Sequence, residues 1–211
     1  SNPATWYLND TYGTGIQSPT STASGNYSNA LGFQTEASGE YSTTLGIGSI
    51  ASGSYSTAMG DGAKASGHYS TAMGNDTTAS GDYSTAMGYQ TEASGDYSTA
   101  MGYQTEASGD YSTALGVITT AEDYLSLAIG VHNKTDESPN PNSFSYQNTA
   151  FVIGNGGFDS EGNYVGYGYD SEGNYVGNSD TFSNAFEVLF DGTTNVAGSV
   201  TATECIGDGS Q

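Results

Sequence analysis

The chain has 211 residues, 23 acidic side chains and only two basic ones, Lys64 and Lys134, so its formal net charge is −21. This charge excludes nucleic-acid binding, which relies on Lys and Arg against phosphates, and argues against direct contact with an anionic membrane. The hydrophobic fraction is 35% with 31 glycines, which favours a repeat architecture with a thin core over a conventionally packed domain. The lone cysteine, Cys205, excludes an intrachain disulfide and a thiolate zinc site.

Residues 1–22 precede a repetitive region and are predicted to form an N-terminal cap. Within them, Trp6, Tyr7 and Leu8 predict a short strand that covers the first open edge. Terminal repeats need such cover, because an unpaired strand edge promotes aggregation.

Residues 23–134 consist of eight 14-residue units without a gap. A fixed period of this kind indicates a solenoid. The last unit, AEDYLSLAIG, is degenerate but stays in frame. The units begin at Ala23, Ala37, Ala51, Ala65, Ala79, Ala93, Ala107 and Ala121.

Each unit predicts two short strands, one through Tyr83–Met87 and one through residues 90–93 in the fifth unit. Alternation places Ser84 and Ala86 on the inner face and Thr85 on the outer one. Two turns are expected in each unit, one at the Ser-Gly-Asp motif and one at the glycine that closes the unit. The predicted interior alanines are Ala30, Ala58, Ala72, Ala86, Ala100, Ala114 and Ala128, and the closing glycines are Gly32, Gly46, Gly60, Gly74, Gly88, Gly102, Gly116 and Gly130.

Stacked coils would carry one large apolar side chain per unit on the outside. An exposed apolar ladder is expected to be buried in a contact with another surface. Two further copies of the same chain, arranged in cyclic symmetry, would cover it without any other partner. The sequence therefore predicts a homotrimer with an interface and core formed by Leu31, Leu45, Met59, Met73, Met87, Met101, Leu115 and Ile129.

The motif S-x-A-x-G followed by a small-residue strand, as in Ser28–Gly32 and Ser56–Gly60, resembles the head repeats of YadA-type trimeric autotransporter adhesins. The resemblance covers residues 23–134. It implies an all-β fold, a left-handed parallel β-roll with three chains around one axis. Met and Leu stand here where such heads usually carry Ile or Val, and Thr stands where they usually carry Val.

The remainder of the chain changes character. Residues 135–157 predict a polar loop followed by a return to the roll or a closing strand, residues 158–182 a hairpin insertion with two DSEGN turns, and residues 183–211 a β-rich neck or shaft segment. The last stretch resembles shaft segments of trimeric phage tail fibres. We expect the chain to be a fragment of something longer.

Several columns carry alternative interpretations. Asp82, Asp96 and Asp110 are weak candidates for a calcium site, as are the DSEGN copies, with solvated turns as the alternative; no other cofactor is expected. A threonine column, if it faces solvent, would suit an ice-binding solenoid. The tyrosine column is either structural or sugar-binding. A second acidic column consists of Glu36, Glu92 and Glu106. The threonine column consists of Thr57, Thr71, Thr85, Thr99 and Thr113, and the tyrosine column of Tyr27, Tyr41, Tyr55, Tyr69, Tyr83, Tyr97 and Tyr111.

No enzyme is predicted, because His68 and His132 are the only histidines and no nucleophile–base spacing accompanies them.

The resemblance instead implies attachment: an extracellular fibre on a bacterial cell surface or a virion tail, binding a host receptor, glycan or matrix protein. Three identical faces would add weak contacts by avidity. The coil turns and the loop at 135–147 would make those contacts. An ice-binding solenoid and a passive spacer are the alternatives.

Overall fold

The structure, a computed structural model, describes residues 7–9, 15–133, 135, 138–155, 168–169, 175–176 and 184–196. This part of the chain is all-β. No helix in it is long and apolar enough to cross a bilayer. In chain order the strands are β1 (Tyr7–Asn9), β2 (Gly15–Gln17), β3 (Thr22–Ala23), β4 (Asn29–Phe33), β5 (Glu36–Ala37), β6 (Thr43–Ile47), β7 (Ile50–Ala51), β8 (Thr57–Asp61), β9 (Lys64–Ala65), β10 (Thr71–Asn75), β11 (Thr78–Ala79), β12 (Thr85–Tyr89), β13 (Glu92–Ala93), β14 (Thr99–Tyr103), β15 (Glu106–Ala107), β16 (Thr113–Val117), β17 (Thr120–Ala121), β18 (Leu127–Val131), β19 (Thr149–Asn155), β20 (Gly168–Tyr169), β21 (Tyr175–Val176), β22 (Asn184–Leu189) and β23 (Thr194–Val196).

The repeats build a parallel β-solenoid of about eight turns. Each turn contributes one long strand, the even-numbered β4 to β18, and one short strand, the odd-numbered β3 to β17. The long strands form one side of the roll, in a 13-stranded sheet, and the short strands form an 8-stranded sheet on the other. The strand residues pair with their counterparts in the next unit, as Thr85 pairs with Thr99 and Met87 with Met101. Equivalent side chains therefore stack at the strand spacing of about 4.8 Å.

The interior of the roll is made of small side chains. Ser84 and Ala86 point inward and are fully buried, while their neighbours Thr85 and Met87 remain partly exposed, as the alternation predicts. Ser84 Oγ donates a hydrogen bond of 2.6 Å to the carbonyl oxygen of Gly81, which satisfies a polar group that burial would otherwise penalise. The predicted interior alanines all have no exposed surface, namely Ala30, Ala58, Ala72, Ala86, Ala100, Ala114 and Ala128.

The long strand begins two residues later than the sequence suggests. It runs over Thr85–Tyr89 and not over Tyr83–Met87, because Tyr83 lies in the coil turn with a φ of +58°. The left-handed region is uncommon for a bulky residue. In this left-handed conformation, Tyr83 N donates a hydrogen bond of 2.7 Å to the carbonyl oxygen of His68 in the turn of the preceding coil.

The glycines that close each unit are not turn residues, contrary to expectation. Gly88 lies inside β12 with a φ of +133°. A Cβ at this position would lie 1.9 Å from the carbonyl oxygen of Gly102 in the next coil. Close stacking of coil on coil is therefore what requires glycine, and the same in-strand placement holds for Gly32, Gly46, Gly60, Gly74, Gly88, Gly102, Gly116 and Gly130.

Additional strands cover both ends of the 13-stranded sheet. At the start, β1 pairs antiparallel with β2, and β2 pairs with the first long strand, β4. At the other end, β19 continues the parallel register beyond β18, so that Val152 pairs with Ala128 and Gly154 with Gly130. Thus the stretch predicted as a return to the roll or a closing strand forms one more long strand of the roll.

The segment expected to be a neck is attached to the roll. Strand β22 runs antiparallel along β19, and β23 folds back antiparallel on β22, because the turn at Asp191 and Gly192 reverses the chain. The Asp191 carboxylate accepts a hydrogen bond of 2.7 Å from Thr193 N in this turn. The described part of residues 183–211 therefore extends the sheet, while Cys205 lies outside the described residues.

The hairpin predicted for the second DSEGN copy is seen in its flanking strands. Strands β20 and β21 pair antiparallel, with Tyr169 opposite Tyr175. The first copy, Asp159–Asn163, and the turn residues of the second, Asp170–Asn174, lie outside the described residues.

Carboxamide side chains cover both ends of the 8-stranded sheet. Gln17 Oε1 accepts a hydrogen bond of 3.0 Å from Ala23 N on the first short strand. On the last one, Asn133 Oδ1 accepts from Thr120 N and Asn133 Nδ2 donates to Thr120 O, both at 2.8 Å. A single amide side chain therefore pairs with the edge as a further strand would.

Candidate functional site

The outer face of the long-strand sheet carries the predicted apolar ladder. Leu45 and Met101 are 46% and 37% exposed, and the other members are partly exposed in the single chain. Beside the ladder, Tyr89 and Tyr103 stack at 5.1 Å and widen the apolar face. The ladder as placed consists of Leu31, Leu45, Met59, Met73, Met87, Met101, Leu115 and Ile129, one above the other.

The threonine column shares that face with the ladder. Thr85 and Met87 both project outward from β12, two residues apart, and both are partly exposed. Their counterparts repeat this pairing in each neighbouring coil. The outer face is therefore a mixed threonine and methionine surface and not a uniform threonine array.

The tyrosine column forms a ladder of stacked rings along one edge of the roll. Neighbouring ring centroids lie 4.7–4.9 Å apart with interplanar angles of 12° or less. The seven side chains are 44–53% exposed, but the exposed parts are ring edges because each inner ring has a neighbour on both faces. The stacked neighbours shield the Tyr55 hydroxyl from water, and this desolvation raises its pKa. Repulsion from the negative charges of ionised Tyr69 and Tyr41, and then of Glu40, raises the pKa of Tyr55 further.

Beside the tyrosines, Asp82, Asp96 and Asp110 form a hydrogen-bonded ladder. Each accepts at Oδ1 a hydrogen bond of 2.8–2.9 Å from the backbone N–H one coil earlier, that of His68, Asp82 and Asp96 respectively. The carboxylates thus satisfy amides that the turn leaves without a strand partner. Sequence reasoning treated these residues as solvated turns or weak calcium ligands and missed this role, which the repetition of Asp directly after the turn glycine signals.

Acidic side chains do not converge into a metal centre in the part of the chain that the structure describes, where no group of three or more His, Cys, Asp or Glu residues could hold an ion. The second acidic column is interrupted, since Ile50, Lys64 and Thr78 stand between Glu36 and Glu92. Only Glu92 and Glu106 are adjacent. Burial raises the pKa of Glu106, the neighbouring Glu92 raises it further, and a hydrogen bond with Ser108 partly offsets both.

The degenerate eighth unit anchors the loop that follows it. Asp123 occupies the place of the turn glycine Gly109 in the unit before and is almost fully buried. Its Oδ1 accepts a hydrogen bond from Asn140 N and its Oδ2 one from Thr149 N, both at 2.8 Å. One carboxylate therefore holds the middle of the loop, at Asn140, and the start of β19, at Thr149.

The anchored loop also ends the aspartate ladder. Asp110 N donates to the carbonyl oxygen of Pro141 at 2.8 Å, in the position where the other rungs donate to an aspartate. Tyr124 N donates to the carbonyl oxygen of Asn140 at 3.0 Å. The loop thus replaces the next coil at this edge, a function that sequence reasoning did not predict.

The two histidines lie in different coils. His68 is exposed in a turn, whereas His132 is buried after β18, and this burial lowers the pKa of His132. A β-solenoid of this kind is a structural fold.

Comparison with known families gives a specific match to the repeats. The model described as YadA head domain repeat, two copies long, matches six overlapping windows: residues 23–49, 37–63, 51–77, 65–91, 79–105 and 93–117. Residues 23–117 belong to the YadA head repeat family. No curated protein sequence matches the chain significantly.

The YadA head repeats account for the main features of the roll. The family is one of surface-exposed bacterial adhesins of the trimeric autotransporter type, and the match implies an adhesin-type fibre segment for residues 23–117. Its in-strand glycines and interior alanines recur with the repeat period because each coil rests directly on the next. The eighth unit lies beyond the matched windows, and it is there that the loop leaves the roll.

Proposed function

We propose that this protein is the attachment segment of a homotrimeric fibre on a bacterial cell surface, binding a host receptor, glycan or matrix protein. The observation that carries the proposal is the continuous apolar ladder on the outer face of the long-strand sheet. In the single chain Met101 and Leu45 are exposed, although the interior of the same coils holds only small residues. The large side chains therefore serve contacts outside the chain.

Three copies around one axis would bury this face and leave the other surfaces outside. Each copy presents the same face, so a closed cyclic arrangement covers all three without leaving an open edge. We take the roll to be left-handed, as the resemblance implies. Burial of about 25 cal/mol per Å² of apolar surface supplies a driving force along the whole length of the ladder.

The outward-facing edges would then carry the adhesive contacts. The coil turns vary in sequence, with Glu40, Ser54, His68 and Asp82 at equivalent positions, while the interior is confined to small side chains, mainly Ala, Ser and Thr. Three identical edges allow weak contacts to add by avidity. Neither the mixed face of Thr85 and Met87 nor the family match supports the ice-binding or spacer alternatives.

Light scattering on the purified chain tests the assembly. We expect a mass of three 21.6-kDa chains for the wild type and a lower mass for Met73→Glu, because a carboxylate would be buried at the axis. Thr78→Glu is the matched control, since Thr78 lies in the same coil but on the short-strand sheet, and it should remain a trimer. A monomeric wild type would refute the homotrimer.

Attachment itself needs a separate measurement. Immobilised matrix proteins and glycans are probed with the wild-type trimer and with the monomeric variant. We expect the trimer to bind at least tenfold more tightly through avidity. Binding of neither species to any surface would contradict the attachment function, even if the chain is a trimer.

A further inference from the structure

An aromatic cluster lies where the anchored loop meets the turn after β22. The rings of Phe144 and Tyr146 meet edge-on at 5.2 Å and 79°, and those of Phe144 and Phe190 at 5.0 Å and 64°. Phe144 is 48% exposed and Tyr146 is 65% exposed. Two large aromatic side chains are therefore exposed to water at a position where they do not contribute to coil-on-coil packing.

The loop cluster differs from the tyrosine ladder in which part of the ring it exposes. In the ladder, Tyr83 is stacked between Tyr69 and Tyr97, so both of its faces are covered. Among the described residues, Tyr146 has one edge-on ring neighbour, Phe144, and an edge-on contact covers at most one face. A ring face is therefore open to a ligand at Tyr146 but closed along the ladder.

Uncharged polar side chains surround the cluster. Asn142, Ser143 and Gln147 are exposed, and Ser145 Oγ donates to Gln147 Oε1 at 2.9 Å. No residue from 138 to 148 carries a charge. Amides, hydroxyls and a rigid aromatic ring are the groups that recognition loops use for polar ligands with apolar patches.

The loop is held in one conformation before any ligand arrives. Asp123 holds it at Asn140 and at Thr149, where β19 begins, and Asn148 Nδ2 donates across it to Ser143 O at 3.1 Å. The Tyr146 carbonyl accepts a hydrogen bond of 3.0 Å from Asp191 N. A pre-organised site loses less conformational entropy on binding.

We propose that this loop surface, formed by Asn142, Ser143, Phe144, Tyr146 and Gln147, is a binding site for neutral glycans. The C–H bonds of a sugar face carry partial positive charge and pack against the negative face of an aromatic ring. The sugar hydroxyls pair with the amides and hydroxyls around Tyr146. The inference rests on the proposed attachment function and specifies its ligand class.

Charge and size select this ligand over others. The net charge of −21 and the neighbouring Asp191 repel sialylated or sulfated sugars. A stable protein partner needs about 800 Å² on each side, which a cluster of this size does not offer by itself. Weak glycan contacts at three copies of the loop would add by avidity.

Neutral and anionic oligosaccharides, displayed on a surface, test the proposal with the full chain. We expect binding to neutral sugars that changes less than twofold between low and high salt, because no ion pair is involved. Tyr146→Ala should weaken it by about tenfold or more, as for a central aromatic contact. The matched control, Tyr69→Ala, removes an exposed tyrosine of the ladder and should stay within twofold of wild type.

Other outcomes separate the inference from the function on which it rests. Binding confined to matrix proteins, or glycan binding that Tyr146→Ala leaves unchanged, overturns the loop site but leaves attachment standing. Preference for sulfated sugars also overturns it. No attachment to any surface refutes the proposed function together with the inference. Because Tyr146 is exposed, an unchanged melting curve for Tyr146→Ala shows that a loss of binding is local.

Discussion

Asp96 Oδ1 accepts a hydrogen bond of 2.9 Å from the backbone N–H of Asp82, one coil earlier. Stacked like charges ordinarily destabilise a sheet. Here the same carboxylates satisfy turn amides, so attraction and repulsion act at one position. The two effects can be separated by substitution.

Asp96→Asn keeps the acceptor oxygen and removes the charge. We expect a melting temperature equal to or above that of wild type at low salt, with the gap closing at high salt as screening weakens the repulsion. Asp96→Ala removes the acceptor as well and should lower the melting temperature by a few degrees. Circular dichroism on the three proteins measures this, and equal stability of the Ala and Asn variants would show that the ladder bonds contribute nothing.

Gly88→Ala should prevent correct stacking of the fifth and sixth coils. The added Cβ would lie 1.9 Å from the carbonyl oxygen of Gly102, and both groups belong to paired backbone. We expect a loss of about 4 kcal/mol or more in the free energy of unfolding. Gly48→Ala is the control, because its φ is +59° but nothing lies within 4 Å of the added atom, so the loss should be about 1 kcal/mol. Denaturant unfolding measures both, and similar losses would contradict the role of stacking.

Asn133→Asp should open the end of the short-strand sheet. The carboxylate still accepts from Thr120 N but cannot donate to Thr120 O, so one bond is lost and two oxygens face each other. We expect a loss of about 1–3 kcal/mol and end-to-end association through the uncovered edge. Sedimentation velocity and thermal unfolding measure the two effects. The control Asn142→Asp adds the same charge at an exposed loop position and should leave both unchanged.

Stability should depend on pH through Glu106. Its pKa is raised in the folded state by burial and by Glu92, so folding favours the protonated carboxyl. The stabilising effect of protonation is therefore present at low pH and is lost as the pH rises through the raised pKa. Wild type should lose melting temperature over this interval relative to Glu106→Gln, in which nothing titrates at this position. Parallel pH profiles for the two proteins would contradict the prediction.

The periodic features of the fold were predictable because they follow from alternation. Ser84 and Ala86 face inward and Thr85 faces outward for the reason any strand alternates, and the repeat extends this to each coil. Gly88 was misassigned because glycine usually indicates a turn, and only the contact with Gly102 shows that it is needed for stacking. Tyr83 was placed in a strand because tyrosine favours strands, whereas in the structure it occupies a left-handed turn.

The end structures were less predictable, since they depend on contacts that no period encodes. Asp123 holds Asn140 and Thr149, which are 17 and 26 residues away, and its sequence signal is only the break in the eighth unit. Asn133 pairs with Thr120 through a side chain that resembles any other polar residue after a strand. The open ring face of Tyr146 results from the loop geometry that these contacts impose.

The in-register stacking of the coils makes the number of coils variable. Residues 79–92 and 93–106 are identical, and each coil meets the same kind of neighbour on both sides. Adding or deleting one unit would change the length of the roll by about 4.8 Å and would leave Gln17, Asn133 and the loop with the contacts they have. The length of the roll is therefore a heritable trait set by duplication or deletion of a short DNA segment, which selection can adjust without altering any single contact.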